Sequence, residues 1–192
     1  MKDLWFMPPS FNIFTRGEKI KLVIWRITRS LFFYPSTPIL NKWRILLLRL
    51  FGAKIGIGCN ISPRAIIMCP WRLEMGNFSS IDDYSFIRNT GRVVIGDYVS
   101  IASQVTIVPG GHDIRSRGFE NNATYVIIGN GCFIGACAYI GRSCTIGQFS
   151  VLGAHAIALK DIPENSIAVG FPAKVIGERI PKEEYIKFRY SM

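Results

Sequence analysis

Residues 126–158 read VIIGNGCFIGACAYIGRSCTIGQFSVLGAHAIA, and an aliphatic residue followed by glycine returns in them at every sixth position. The pairs are Ile128-Gly129, Ile134-Gly135, Ile140-Gly141, Ile146-Gly147 and Leu152-Gly153. The same step runs outward towards the N-terminus through Ile95, Ile101 and Ile107, through Met75, Ile81 and Ile87, and through Ile55, Ile61 and Ile67. Between these blocks the phase slips by two residues, from 67 to 75 and from 87 to 95. Four residues after each aliphatic position stands a small or β-branched residue, as in Cys59, Ala65, Ser79, Val99, Cys132, Ala138, Ser150 and Ala156.

A period of six fits neither an α-helix nor one alternating strand. It fits short strands joined by tight corners, three to a coil, with coils stacked so that strands pair in parallel at the usual spacing. The aliphatic residue points inward, the small residue fits a second cramped inward site, and the glycine bends the backbone at or near the corner without a Cβ clash. A coil buries its face only against its neighbours, so several are required. The hexads supply six or seven coils' worth. The fold expected is an all-β solenoid.

The pattern also marks the edges of the solenoid. Residues 1–54 form a basic, aromatic-rich segment, residues 55–177 hold the repeat, and residues 178–192 read as a tail or short helix. Within the first segment, 18–33 reads as an amphipathic helix with Ile20, Val23, Ile24, Ile27 and Leu31 at helical spacing, closed by Pro35 and Pro38. Residues 39–51 form a second helix. The repeat breaks at 109–125, PGGHDIRSRGFENNATY, a polar loop extruded from the solenoid. A loop of that length is more often functional than idle.

Charge follows the same division. Of the net +10 in this 192-residue chain, residues 1–54 carry ten basic and two acidic side chains, against nine and eight in 55–177. The first segment also holds ten of the 24 aromatics. Such a segment suits an anionic surface; the plainer and preferred reading is two packed helices whose Lys and Arg face water. No nucleic-acid-binding motif accompanies the charge. No export signal and no apolar run of membrane-spanning length occurs, so an intracellular chain is expected. Five cysteines, with no CxxC pair, argue against a disulfide framework or a zinc site. Cys59, Cys132 and Cys144 fall on the small inward position and read as inert core thiols.

Chemistry-bearing residues are few. There are two histidines. His112 follows Gly110 and Gly111 at the mouth of the extruded loop, where a general base or an ordinary exposed loop histidine are equally good readings. His155 lies inside a hexad and reads as a surface or subunit-contact residue. Lys160, Lys174 and Arg179 stand near the end of the solenoid, where they are either phosphate contacts or solvated charge.

The stretches WRILLLRLFGAKIG (43–56), PWRLEMGNFSSIDD (70–83), GGHDIRS (110–116), VIIGNGCFIGACAYI (126–140) and VLGAHAIALKDIPENSIAVGFPAKVI (151–176) carry a resemblance. Over roughly residues 20–178 the chain resembles the hexapeptide-repeat acyltransferases, left-handed parallel β-helix proteins. Within them it looks like the colanic-acid and exopolysaccharide O-acetyltransferases of the maltose, galactoside and nodulation branch. The resemblance implies direct acetyl transfer from acetyl-CoA to a sugar hydroxyl, without a metal. It implies His112 as the general base and a backbone amide facing the oxyanion. It implies acceptor contacts from Asp82, Asp83 or Asn89, with Asp82 first by hexad register. It also implies a homotrimer, with CoA in a groove between subunits lined by backbone of Gly135, Ala136 and Ala154 and by Lys160 and Lys174. The chain departs from relatives at Leu159 (Thr in some), at Gly177 (Arg in some, with Arg179 a substitute) and at His155 (commonly Gly). Two other readings remain at this point: an acetyltransferase for a free small molecule, and a non-catalytic scaffold solenoid. Peripheral contact with the inner face of a membrane would favour a lipid-linked sugar as acceptor.

Overall fold

A computed structural model describes residues 13–112, 121–181 and Glu184. Two helices, α1 (Arg16–Thr28) and α2 (Asn41–Leu50), precede the strands. Each coil then contributes one strand to each of three faces. The first coil holds β1 (Lys54–Ile55), β2 (Asn60–Ile61) and β3 (Ile66–Ile67); the second holds β4 (Leu73–Met75), β5 (Ser80–Ile81) and β6 (Phe86–Ile87). The third holds β7 (Arg92–Ile95), β8 (Ser100–Ile101) and β9 (Thr106–Ile107). A short antiparallel arm follows, β10 (Gly110–His112) on β11 (Asn121–Ala123). The fourth coil is β12 (Tyr125–Ile128), β13 (Phe133–Ile134) and β14 (Tyr139–Ile140), and the fifth is β15 (Cys144–Ile146), β16 (Val151–Leu152) and β17 (Ile157–Ala158). A sixth turn begins with Ile162 and β18 (Ser166–Val169), and β19 (Lys174–Glu178) folds back on it antiparallel. The three faces are β1-β4-β7-β12-β15, β2-β5-β8-β13-β16-β18-β19 and β3-β6-β9-β14-β17.

Five complete coils are therefore fewer than the six or seven expected, because the chain after Val169 reverses into β19 instead of completing another turn. The inward positions are as the hexads predict. Every aliphatic position from Ile61 to Leu152 in the repeat is buried, and so is every small position from Cys59 to Ala156. The small residues also bond. Ser79, Ser85 and Ser150 hydroxyls donate to the carbonyls of Gly96, Ala102 and Pro163, and the thiols of Cys59 and Cys132 donate to Gly76 and Gly147, in each case one coil further on.

The glycine after the aliphatic residue has a different task from the one expected. Where a corner has a left-handed residue, it stands three positions after the aliphatic one: Gly58, Phe78, Tyr98, Gly131, Phe149 and Asn165 along the first corner, and Tyr84, Gln104, Cys137 and His155 along the second. The repeated glycine permits close stacking. A Cβ on Gly129, Gly135 or Gly147 would lie 2.6, 2.5 or 2.3 Å from a backbone nitrogen of the next coil.

The open N-terminal end explains the helices. Three strand edges there would leave unpaired backbone groups, an aggregation hazard and a desolvation cost. Side chains cap all three. Arg49 donates to Ile55 O of β1; Asn41 pairs with Cys59 O and Ile61 N, and Arg44 with Ile61 O, at β2; Trp25 Nε1 donates to Ile67 O of β3 at 2.8 Å. Arg44 is 1% exposed and also donates to Ser36 Oγ and the carbonyls of Thr37 and Pro38. Its partners are all neutral, and burial lowers its pKa from the ordinary value. Thr15 and Glu18 form a capping box at the start of α1.

The apolar stripe of α1 faces the other way from a packed amphipathic helix. Trp25 is the helix's buried residue, whereas Ile20, Val23, Ile24 and Ile27, and Leu31 of the π-helical turn Arg29–Phe33 that continues α1, are each more than half exposed. The need to cap β3 and fill the end of the bore outweighs the stripe.

Candidate active site

The third corner, where each coil passes to the next, collects every irregularity in the repeat. Both phase slips fall there, at 68–72 with its 3-10 turn Pro70–Arg72 and at 88–91, and so does the arm of β10 and β11. The slips are held by specific bonds. Asn89, wholly buried, accepts from Cys69 N and donates to Cys69 O, so its amide is spent on one backbone residue of the coil below. Arg72 donates to Thr90 O and pairs with Glu18 of α1 at 2.6 Å. Burial pushes the Glu18 carboxyl up, but the Thr15 amide, the Arg72 guanidinium and the Trp71 indole outweigh it and hold the pKa at about 2.

His112 ends β10, half-buried, paired in register with Asn121 across the arm. Arg142, at the third corner of the fourth coil, donates to His112 O at 3.1 Å. Thr124 ties the arm's return to Pro109 O through its amide at 2.7 Å and its hydroxyl at 2.5 Å. The imidazole is thus carried on a bonded arm at the third corner. Asp113, and the remainder of the extruded loop to Glu120, lie outside the described residues.

The other expected site residues fall elsewhere. Gly135 and Ala136 stack beneath Ala154 on the second corner, where His155 N donates to Ala136 O. Ala173 N donates to Ile157 O and brings Lys174 across the top of that column. Asp82 and Asp83 lie on the same corner two coils lower. Asp83 accepts from Ser62 Oγ and faces Arg64 at 3.5 Å. With Tyr34, Asn60 and Arg64 they border a polar cleft of about 480 Å³. Lys160 stands on the third corner, and its carbonyl accepts from Cys144 Sγ. Arg179 reaches the first corner and donates to the carbonyls of Gly131 and Phe149, away from the other candidates.

In one chain, then, His112 and the Gly135–Ala154 column occupy opposite edges of the third face. Six residues separate corner from corner, a span of at most about 20 Å. The outward residues of that face are Ile66, Phe86, Thr106, Tyr139 and Ile157, all half-buried. The first face instead presents Lys54, Glu74 and Arg92 as a ladder of ion pairs.

Burial pushes the thiols of Cys69 and Cys144 up to about 12 and that of Cys132 to about 11, which keeps these three in the unreactive thiol form. Among the described residues no cluster of His, Cys, Asp and Glu could hold a metal ion, and no helix is long and apolar enough to cross a membrane.

Comparison with known proteins converges on one group. No family model matches the chain. A protein of Escherichia coli K12, named provisionally as a colanic acid biosynthesis acetyltransferase, is 35% identical over 170 residues, covering 88% of this chain and 93% of its own. The chain belongs to the hexapeptide-repeat acetyltransferases. The galactoside O-acetyltransferase of the same bacterium is 37% identical over 116 residues, which is 59% of this acetyltransferase and 54% of the relative. A solved galactoside acetyltransferase in complex with coenzyme A superposes with a TM-score of 0.74 at 27% identity, over 88% of this acetyltransferase and 86% of that chain. A hexapeptide-repeat acetyltransferase of Vibrio cholerae shares the fold, with a TM-score of 0.80 at 19% identity over 87% and 95% of the two chains. The solenoid is of the left-handed kind, an exception to the usual right-handed crossover. With membership in this group, the bare-scaffold reading falls away.

The residues that sequence reasoning missed are the caps and clamps. Arg44, Trp25 and Arg142 act on backbone carbonyls remote in sequence, and no periodic signal announces such a bond.

Proposed function

We propose that this acetyltransferase moves the acetyl group of acetyl-CoA to a sugar hydroxyl of a glycan precursor inside the cell, with His112 as general base. The imidazole takes the hydroxyl proton as the oxygen attacks the thioester carbonyl. A backbone amide stabilises the tetrahedral oxyanion. Collapse breaks the C–S bond, and the thiolate of CoA recovers the proton from the imidazolium. Acetyl is transferred directly, so no acyl-enzyme forms.

The observation that carries this reading is the arm holding His112 at the third corner. It sits between the third and fourth coils, at a height between Asp82 and Asp83 of the second coil and the Gly135–Ala154 column of the fourth and fifth. A second copy of the chain with its second corner against this third corner would surround the imidazole with acceptor contacts on one side and the CoA groove on the other. Three copies around an axis faced by the third face satisfy that relation in every interface, and the outward column of that face, apolar but for Thr106 and the Tyr139 hydroxyl, supports the homotrimer. In that assembly Asp82 and Asp83 hold the acceptor. Backbone of Gly135, Ala136 and Ala154 lines the CoA groove, and Lys174 approaches its phosphates. Asn89, sealed against Cys69, supports the corner rather than the acceptor, and Arg179 secures the first corner.

The test is release of CoA thiol from acetyl-CoA over a panel of nucleotide sugars, lipid-linked glycans and free simple sugars, run for wild type and His112→Ala. Turnover by wild type with loss of about a hundredfold or more in the variant supports the base assignment. Equal activity overturns it. Turnover confined to free simple sugars favours the small-molecule reading. Light scattering that finds a monomer overturns the trimer.

A further inference from the structure

The exposed stripe of α1 calls for an occupant. Ile20, Val23, Ile24, Ile27 and Leu31 recur at the spacing of one helical face and are between 51% and 64% exposed. Trp25 projects from the opposite side of the helix and is bonded beneath β3, so the stripe is turned away from the solenoid's N-terminal end. That direction differs from the third face, which runs along the side of the solenoid. Phe32, Tyr34 and Trp43 extend the apolar surface beyond α1, all exposed, with Trp43 Nε1 bonded to Phe32 O.

Charge selects among occupants. Residues 13–54 contain nine basic side chains and a single acidic one, Glu18, which is already paired with Arg72. Arg16 opens the stripe, and Lys19 and Arg26, seven residues apart, follow one of its edges; all three are exposed. A second copy of this surface would bring like charges together. A helix lying in the plane of an anionic bilayer has this arrangement: an apolar face at the depth of the acyl boundary, cations at the headgroups and aromatic rings between.

We propose that the N-terminal end of the solenoid is a docking surface for an anionic lipid bilayer, with the α1 stripe as the inserted face. The inference stands on the helix and its charge and does not require the acetyl-transfer reading. In a trimer with parallel solenoids three such stripes would share one face and act together.

Flotation of the full chain with phosphatidylcholine vesicles, with and without phosphatidylglycerol, tests it. Wild type is expected to float with the anionic vesicles and not with the neutral ones, and to be released by added salt. The double variant Ile24→Asp with Ile27→Asp is expected to lose binding about tenfold or more while keeping its thermal unfolding and its mass by light scattering, since both positions are exposed. Absence of wild-type flotation with anionic vesicles overturns the proposal, as does equal flotation of the double variant. A double variant that unfolds normally but has a changed assembly mass also overturns it, and makes the stripe a contact between subunits.

Discussion

Along the first corner six successive turns place a left-handed residue over a left-handed residue, from Gly58 through Phe78, Tyr98, Gly131 and Phe149 to Asn165. Along the third corner no two turns are alike: a 3-10 turn, an asparagine-held bend, the β10–β11 arm, and the tight turn of Gly141 to Ser143 follow one another. The first corner is a stacking device. Backbone approaches backbone so closely that a methyl group is excluded at Gly129 and Gly147. The third corner departs from the period, and each departure is held by its own bonds. The contrast teaches that a repeat protein can confine irregularity to one edge and leave its other edges periodic, so that an extruded arm does not disturb the stack.

The largest test of that division is His112→Ala. It should lower kcat by about 10²–10⁴-fold and leave the thermal midpoint unchanged; a parallel loss of stability would mean the arm is part of the scaffold. Next is Asn89→Ala, which strands the buried N–H and carbonyl of Cys69. Denaturant titration should find it destabilised by about 2–4 kcal/mol, from two unsatisfied groups. Unchanged stability with lost activity would return Asn89 to the acceptor site. At the periodic corner, Gly147→Ala puts a Cβ 2.3 Å from Glu164 N, a backbone atom with little room to move. The expected cost is about 1–3 kcal/mol, with CoA-thiol release otherwise normal.

The smallest expected effect concerns pH. Glu18 titrates near 2 in the folded chain against an ordinary 4.5. Its contribution to stability is therefore complete above the ordinary value and is lost as pH falls from about 4.5 towards 2. Stability followed across that window should slope for wild type and slope less for Glu18→Gln. Equal slopes would show that α1 is not tied to the third corner through this carboxylate.

Much of the architecture is legible in the residues because coil formation is local. Ile128, Ile134, Ile140, Ile146 and Leu152 announce the coil, Cys132 and Ser150 mark the cramped inward sites, and the slips at 67 to 75 and 87 to 95 mark where extra chain leaves the period. The site is legible only in part. His112 stands out beside two glycines, but Asn89 reads like any polar corner residue, and its two hydrogen bonds to the Cys69 backbone exist because a whole coil intervenes between them. Arg179 reads as a phosphate contact or a solvated charge, and its bonds to the carbonyls of Gly131 and Phe149 are not announced by any near neighbour, because β19 folds back over the end of the solenoid.

By itself the sequence determined the period, the inward residues, the break that carries His112 and the basic N-terminal segment, since each of these is a property of near neighbours in the chain. The tertiary structure decided which corner receives each irregularity, which residue of the hexad turns left-handed, and which side of α1 is buried. Those outcomes depend on groups far apart in sequence. An open strand edge at Ile67 must be capped, Trp25 is the side chain that reaches it, and the apolar stripe of α1 is left facing outward as a consequence.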